Sequence, residues 1–261
     1  MSKYSVSSVA EYIGLIEKIN LNQTLWFRGV SNVSYKPLPG VVWQNAMNSE
    51  GAMEHDFLVA FKSYTDRHDL NSWEIYAMMQ HHGLPTRLLD WSDSALVALY
   101  FALTSEPQQN NNRGIWVLKP SALNKLSTGK GELYCPAVIK ASEFEVTEGK
   151  VISFNKYLPP NLTLNDGGLQ YPQFPLAINA SKHIKRIASQ RGCFTVHGSD
   201  PRSIDQFLRE DECYFIEIVL PLSEARLQMI STLDSMGIDE EFIYQDLDSL
   251  CTRIKRRWLK K

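Results

Sequence analysis

Cysteine is scarce and scattered. The chain has 261 residues and four cysteines, Cys135, Cys193, Cys213 and Cys251. They form no C-x-x-C pair and no Cys/His cluster, which excludes a zinc ribbon and a disulfide framework. Free thiols suit a reducing compartment. Glycine (14) and proline (12) are near background, which excludes a collagen-like or low-complexity chain. No apolar run is long enough to span a bilayer, so no transmembrane helix and no membrane partner are expected. The opening MSKYSVSSVAEYIG lacks a basic start that leads into an apolar run. No secretory signal is therefore expected, and the expected location is cytoplasmic. A dominant charge is lacking too. The 27 Lys+Arg and 29 Asp+Glu leave a net charge of −2, so no whole-molecule field draws the chain to nucleic acid or anionic lipid. Local patches remain open to such partners. No internal repeat marks a solenoid or propeller.

What is present is an ordinary globular composition, 44% hydrophobic and 21% charged. That is too apolar for a disordered chain and long enough for one substantial core. The spacing predicts a helix over Ser8–Ile19, with Val9, Tyr12, Ile13, Ile16 and Ile19 on one face. Leu25-Trp26-Phe27 reads as a strand that stops in a tight turn at Arg28-Gly29. Further helices are expected over Gly51–Tyr64, over Asn71–Gln80 with Asn71 or Ser72 as cap, and over Ala95–Leu103 with Ser92 or Asp93 as cap. Gly114–Leu118, Phe194–His197 and Tyr214–Leu220 read as strands, and two helical stretches follow around Leu227–Met236 and Leu247–Trp258. Residues 119–178, with Pro159-Pro160, Asp166-Gly167-Gly168, Pro172 and Pro175, read as long loops with short elements. The class is α+β, one domain over 1–261.

Three clusters can carry chemistry. In Trp26-Phe27-Arg28-Gly29 an arginine fork suited to phosphate or carboxylate precedes a glycine that admits close approach to the backbone. A salt-bridged arginine at a strand end is the other reading. Gln80-His81-His82-Gly83-Leu84-Pro85-Thr86-Arg87-Leu88-Leu89-Asp90-Trp91 concentrates polar groups on a turn between apolar helices, where rigid scaffolds tend to build sites. An Arg87–Asp90 ion pair would brace that turn. His81 and Thr86 are the better ligand contacts, and His82 fits either role. Adjacent histidines diverge, so no metal site is expected. The third cluster, Arg186 to Gly198, runs from a polar approach through Gln190 into a strand. Gln190 either contacts a ligand or bridges the turn.

Together these residues resemble the FRG domain family. Phe27-Arg28-Gly29 is similar to its naming motif, Gln80–Trp91 to its most distinctive segment, Arg186–Phe194 to its third block and Tyr244–Leu250 to its closing segment, a likeness over about residues 20–255. The resemblance implies an architecture like that of the ADP-ribosyltransferases, with N-terminal and C-terminal helices around a central mixed or antiparallel sheet. It also implies an enzyme that uses NAD as substrate and modifies a macromolecular acceptor, either RNA or DNA or a protein. A toxin or anti-phage role with an antitoxin partner goes with that family. By the same likeness Arg28 holds the NAD pyrophosphate or ribose and Gly29 lines the nicotinamide pocket. His81 binds the ribose or acts as base, while His82, Gly83 and Thr86 complete the NAD contacts.

Such transferases carry a late Glu on the ribose. Here the matching position is Gln190, so that duty stays with Gln190 or shifts to Asp90 or Glu217. The alternative reading is a non-catalytic nucleotide- or nucleic-acid-binding module. It draws on Lys182, Lys185, Arg186 and Arg191, and on the tail Arg253, Lys255, Arg256, Arg257, Lys260 and Lys261. A metal-independent ribonuclease using His81 and His82 ranks last.

Overall fold

The computed structural model describes residues 3–19, 23–67, 69–108, 111–138, 143–146, 150–163, 171–182, 185–221 and 223–259. Asp166-Gly167-Gly168, Lys260 and Lys261 lie outside the described residues. The strands are β1 (Tyr4–Val6), β2 (Trp26–Val30), β3 (Leu88–Ser92), β4 (Arg113–Leu118), β5 (Glu143–Val146), β6 (Lys150–Ser153), β7 (Leu176–Asn179), β8 (Gly192–Val196) and β9 (Cys213–Ile218). The helices are α1 (Val9–Ile19), α2 (Gly40–Trp43), α3 (Glu50–Ala60), α4 (Ser72–His81), α5 (Ala95–Thr104), α6 (Pro120–Thr128), α7 (Lys185–Ser189), α8 (Ser223–Ser235), α9 (Glu240–Tyr244) and α10 (Leu247–Trp258). The class is mixed α+β, as the sequence predicts.

Seven strands form one open sheet in the order β1-β9-β4-β2-β3-β8-β7, and β5 and β6 form a separate hairpin. Among the described strands of this sheet, β1 and β9 pair in parallel and the other neighbours are antiparallel. The sheet is nearly divided in the middle. β2 pairs with β4 along its whole length and β3 likewise with β8, whereas β2 meets β3 at a single position, Phe27 opposite Ser92. Alternation sends successive side chains to opposite faces. One face therefore carries two cores, one on each half-sheet. Phe27, Ile115, Val117 and Ile216 pack under α1, α5 and α8. Leu88, Ile178, Phe194 and Val196 pack with Trp73, Tyr76 and Met79 of α4. The other face buries Trp26, Val30, Leu89, Trp91 and Trp116.

Several local expectations need correction. Arg28-Gly29 is not a turn but the interior of β2, where Gly29 pairs with Ile115. Its missing side chain makes room for a helix: a Cβ there would sit 2.0 Å from the Ala98 carbonyl oxygen of α5. Thr86–Trp91 runs into a strand that the sequence hides, because Leu88 and Leu89 are both buried, on opposite faces. A strand covered on both sides loses its polar–apolar alternation. Ser94 caps α5 by accepting from the Val97 N–H. Neither expected cap does so: Ser92 donates to the Gln190 carbonyl at 2.6 Å and Asp93 pairs with Arg191. Helix α4 is capped by Asn71 as expected, in a capping box with Glu74. The stretch read as loops contains α6, which has proline in its first turn and left-handed Gly129 (φ 77°) at its end.

Candidate functional site

A cleft of about 280 Å³ opens on the face between the two cores, where the half-sheets part. Phe27, Arg28 and Gly29 of β2 and Asp90, Trp91 and Ser92 of β3 line it from the sheet. Gln80 and His81 come from the end of α4, Ala98 and Phe101 from α5, and Arg186 and Gln190 from α7 and the turn after it. Arg28, Gly29, His81 and Gln190 thus converge on one opening.

Arg28 closes the seam. Beyond Phe27 the backbone ladder stops, and the Arg28 Nη1 donates to the Asp90 carbonyl at 2.8 Å. That carbonyl would otherwise accept from β2. The guanidinium is half-buried, and its Nε, fully buried, has no partner among the described residues. Burial lowers its pKa and the Asp90 carboxylate opposes the shift, but an arginine stays cationic. An unpaired buried donor on a cation is costly unless an acceptor reaches it. Arg28 therefore brings to the cleft a fixed positive charge that suits an anionic or strongly accepting group.

Asp90 supplies the only carboxylate among the described residues of the lining. Its Oδ2 accepts from Gln80 Nε2 at 2.6 Å. Gln80 Oε1 accepts from the Thr86 hydroxyl at 2.6 Å, and Thr86 Oγ1 accepts from the Leu88 N–H. This relay fixes the Gln80 amide so that its NH₂ faces the carboxylate. His81 sits half-buried beside them. Burial lowers its pKa, the Arg186 and His82 charges add to the shift, and Asp90 opposes it. His81 is therefore a neutral imidazole near pH 7, able to take up a proton. Gln190 donates from Nε2 to the Ile243 carbonyl at 3.3 Å, so its oxygen is the group left for a ligand.

Three residues expected to contact the ligand stand elsewhere. Thr86 is fully buried and acts through Gln80. His82 ends α4 with its ring edge-on to His81, and Gly83 takes the left-handed conformation (φ 86°) that terminates the helix. Neither lines the cleft. Arg87 does not pair with Asp90. Residues three apart along an extended stretch face opposite ways, and Arg87 meets buried Glu50 at 2.8 Å instead. Glu217 is too distant to replace a late Glu: β4 and β2 separate its strand from β3, and it accepts from Asn112. Three of the basic residues are held in ion pairs. Arg191 pairs with Asp93, Arg253 with Glu241, and Arg256 with Asp234 and Glu240.

The sequence places Arg186 in a basic stretch suited to nucleic acid and not among the NAD contacts. Its guanidinium lies 4.8 Å over the Tyr244 ring, which also meets Phe101 edge-on at 6.5 Å. The signal was present: Arg186 and Gln190 are four residues apart, the spacing that places two side chains on one helix face. No group of three or more His, Cys, Asp and Glu that could hold a metal occurs among the described residues. No helix among them is long and apolar enough to cross a membrane.

A cleft at the parting of a split sheet, with an arginine in the seam, is the candidate site of this α+β domain. Residues 23–111 match the FRG domain. That span contains Arg28, Gly29, Gln80, His81 and Asp90, while Arg186 and Gln190 come from beyond it. No curated protein and no solved structure matches the chain.

Proposed function

We propose that this chain is an NAD-dependent ADP-ribosyltransferase that modifies a macromolecule. The observation that carries the reading is Arg28, a cation with an unpartnered buried Nε that lines a cleft beside the Asp90 carboxylate and the neutral His81. The donor set suits a dinucleotide. Arg28 and Arg186 are two cations for a pyrophosphate, and Asp90 and Gln190 are acceptors for ribose hydroxyls. NAD supplies the ADP-ribosyl group: its nicotinamide leaves with the bonding electron pair and the ribose carbon becomes electron-poor. The Asp90 carboxylate opposes that charge, as in glycoside cleavage. His81 takes the proton that the acceptor loses as it bonds to the ribose. A toxin or anti-phage role with an antitoxin partner belongs to the same reading and rests on the family likeness.

One observation favours the alternative of a non-catalytic binding module. The position expected for a late Glu holds a neutral amide already tied to Ile243. A ribonuclease using two histidines has less support, since His82 stands outside the cleft. Labelled NAD incubated with purified protein and a cell lysate tests the proposal. Transfer of label to protein or nucleic acid is expected, reduced at least a hundredfold in Arg28→Ala and Asp90→Asn. NAD binding without transfer selects the binding module. The absence of both NAD binding and transfer refutes the transferase.

A further inference from the structure

The parting of the half-sheets continues past Arg28 into a second chamber of about 270 Å³. Arg28 and Gln80 form the partition and line both spaces. The second chamber is chemically distinct. Tyr35 and Trp43 form an aromatic corner, with ring centroids 5.1 Å apart and edge-to-face. Trp43 is 54% exposed, so a ring face stays open to a ligand. The Trp116 indole N–H holds the Tyr35 carbonyl at 2.8 Å and anchors this corner to the sheet.

Glu106 faces the same chamber. Its backbone is left-handed (φ 47°), a conformation that costs a non-glycine residue energy and persists only when its surroundings enforce it. Here Arg113, with no exposed surface, donates from Nη1 to the Ser105 carbonyl at 2.6 Å and from Nη2 to the Glu106 carbonyl at 3.1 Å. A buried cation is thus spent on holding one strained turn, and that turn presents a carboxylate. The carboxylate accepts from the Ser31 hydroxyl and from the Tyr35 hydroxyl. A carboxylate has about four acceptor sites, so others remain for a ligand.

We propose that this chamber is a subsite for a guanine base of the acceptor. Guanine offers two adjacent N–H donors to a carboxylate and a flat face to an aromatic ring. Uracil offers only one N–H and no amino group. Lys36, which lines the chamber beside its surface partner Asp205, meets the attached phosphate. As an acceptor subsite the assignment rests on the transferase reading, but its base preference is measured without NAD.

The test is calorimetric titration of the full chain with GMP, AMP and UMP, repeated under saturating NAD. GMP is expected to bind at least tenfold more tightly than UMP, with NAD leaving its affinity unchanged. Glu106→Gln should remove the preference, and Trp43→Ala should weaken all three nucleotides. Both side chains are exposed, so the variants keep the fold, and matching unfolding curves confirm it. Equal affinity for GMP and UMP overturns the proposal, as does a preference that survives Glu106→Gln. Competition between NAD and GMP also overturns it, because the chamber then holds the dinucleotide's own adenosine end. Labelled protein in the NAD assay without any nucleotide binding overturns the guanine subsite and leaves the transferase reading intact. A guanine preference in a chain that does not bind NAD removes the transferase reading and keeps the base site.

Discussion

Removing the Glu50 carboxylate should unfold much of what holds β3 in place. Arg87 and Glu50 are almost completely buried, at 1% and 4% side-chain exposure, with Nε and Oε2 2.8 Å apart. Tyr76 donates to the other Glu50 oxygen and accepts from the Arg87 backbone N–H at 2.7 Å. Arg87 Nη2 donates to the Tyr157 carbonyl at 2.7 Å, and its guanidinium lies 3.4 Å from the centre of the Tyr171 ring. Glu50→Ala strips the counter-charge and leaves a guanidinium in an apolar core. Breaking one side of a buried pair costs about 3–5 kcal/mol, a large share of the roughly 5–15 kcal/mol that stabilises a domain. Urea unfolding reads this directly. With a slope near 3 kcal/mol/M, a loss of about 4 kcal/mol moves the midpoint by about 1.3 M. The companion variant Glu50→Leu/Arg87→Met buries neither charge and should recover at least half of the loss. A cost below about 1 kcal/mol for Glu50→Ala, or no recovery in the double variant, would refute the reasoning.

Gly29→Ala should destabilise by at least about 2 kcal/mol, because the new methyl would meet α5 backbone at 2.0 Å; a melting temperature equal to wild type would show that the helix can move aside. Burial pushes His197 down to about 4, with its Nε2–H on the Arg202 carbonyl. The unfolded chain then binds a proton that the folded chain refuses, so stability should fall by roughly 3 kcal/mol as pH drops from about 6.5 to 4. It should be flat above that window, and thermal melts of His197→Gln against pH should lose that part of the slope. Asn71→Ala removes a capping box and should cost about 1 kcal/mol in chemical denaturation while leaving ligand affinity at the cleft unchanged.

Much of the site was legible because its residues sit close together in sequence. Arg28, Gly29, His81 and Asp90 stand in the two clusters that dense polar groups single out between apolar elements. What was not legible depends on direction. Thr86 and Arg87 share that segment, but both point into the core, where Gln80 and Glu50 take them. Glu50 lies 37 residues upstream of Arg87, and no local pattern links them. Gly29 reads in the sequence as a turn glycine that admits close approach to the backbone, whereas the reason for it is a helix that arrives about 70 residues later. The strand β3 was hidden by being buried on both faces. Glu106 gives no sign in the sequence, since its left-handed backbone and the Arg113 clamp exist only once the turn is formed.

The single register position joining β2 to β3 makes the ligand cleft a mechanical fault line. Elsewhere the half-sheets are stitched by full backbone ladders; here they are held by one strand bridge and one arginine fork. Whatever occupies the wedge therefore replaces missing backbone pairing, and its binding energy adds to the stiffness of the whole sheet. Amide exchange should be slowest within each half and fastest along β2 and β3 beyond Phe27 and Ser92, with the difference collapsing when the wedge is filled. In such a molecule, occupancy is felt as a change in the tilt and rigidity of two blocks, so a partner gripping the rim of both halves could sense the ligand without touching it.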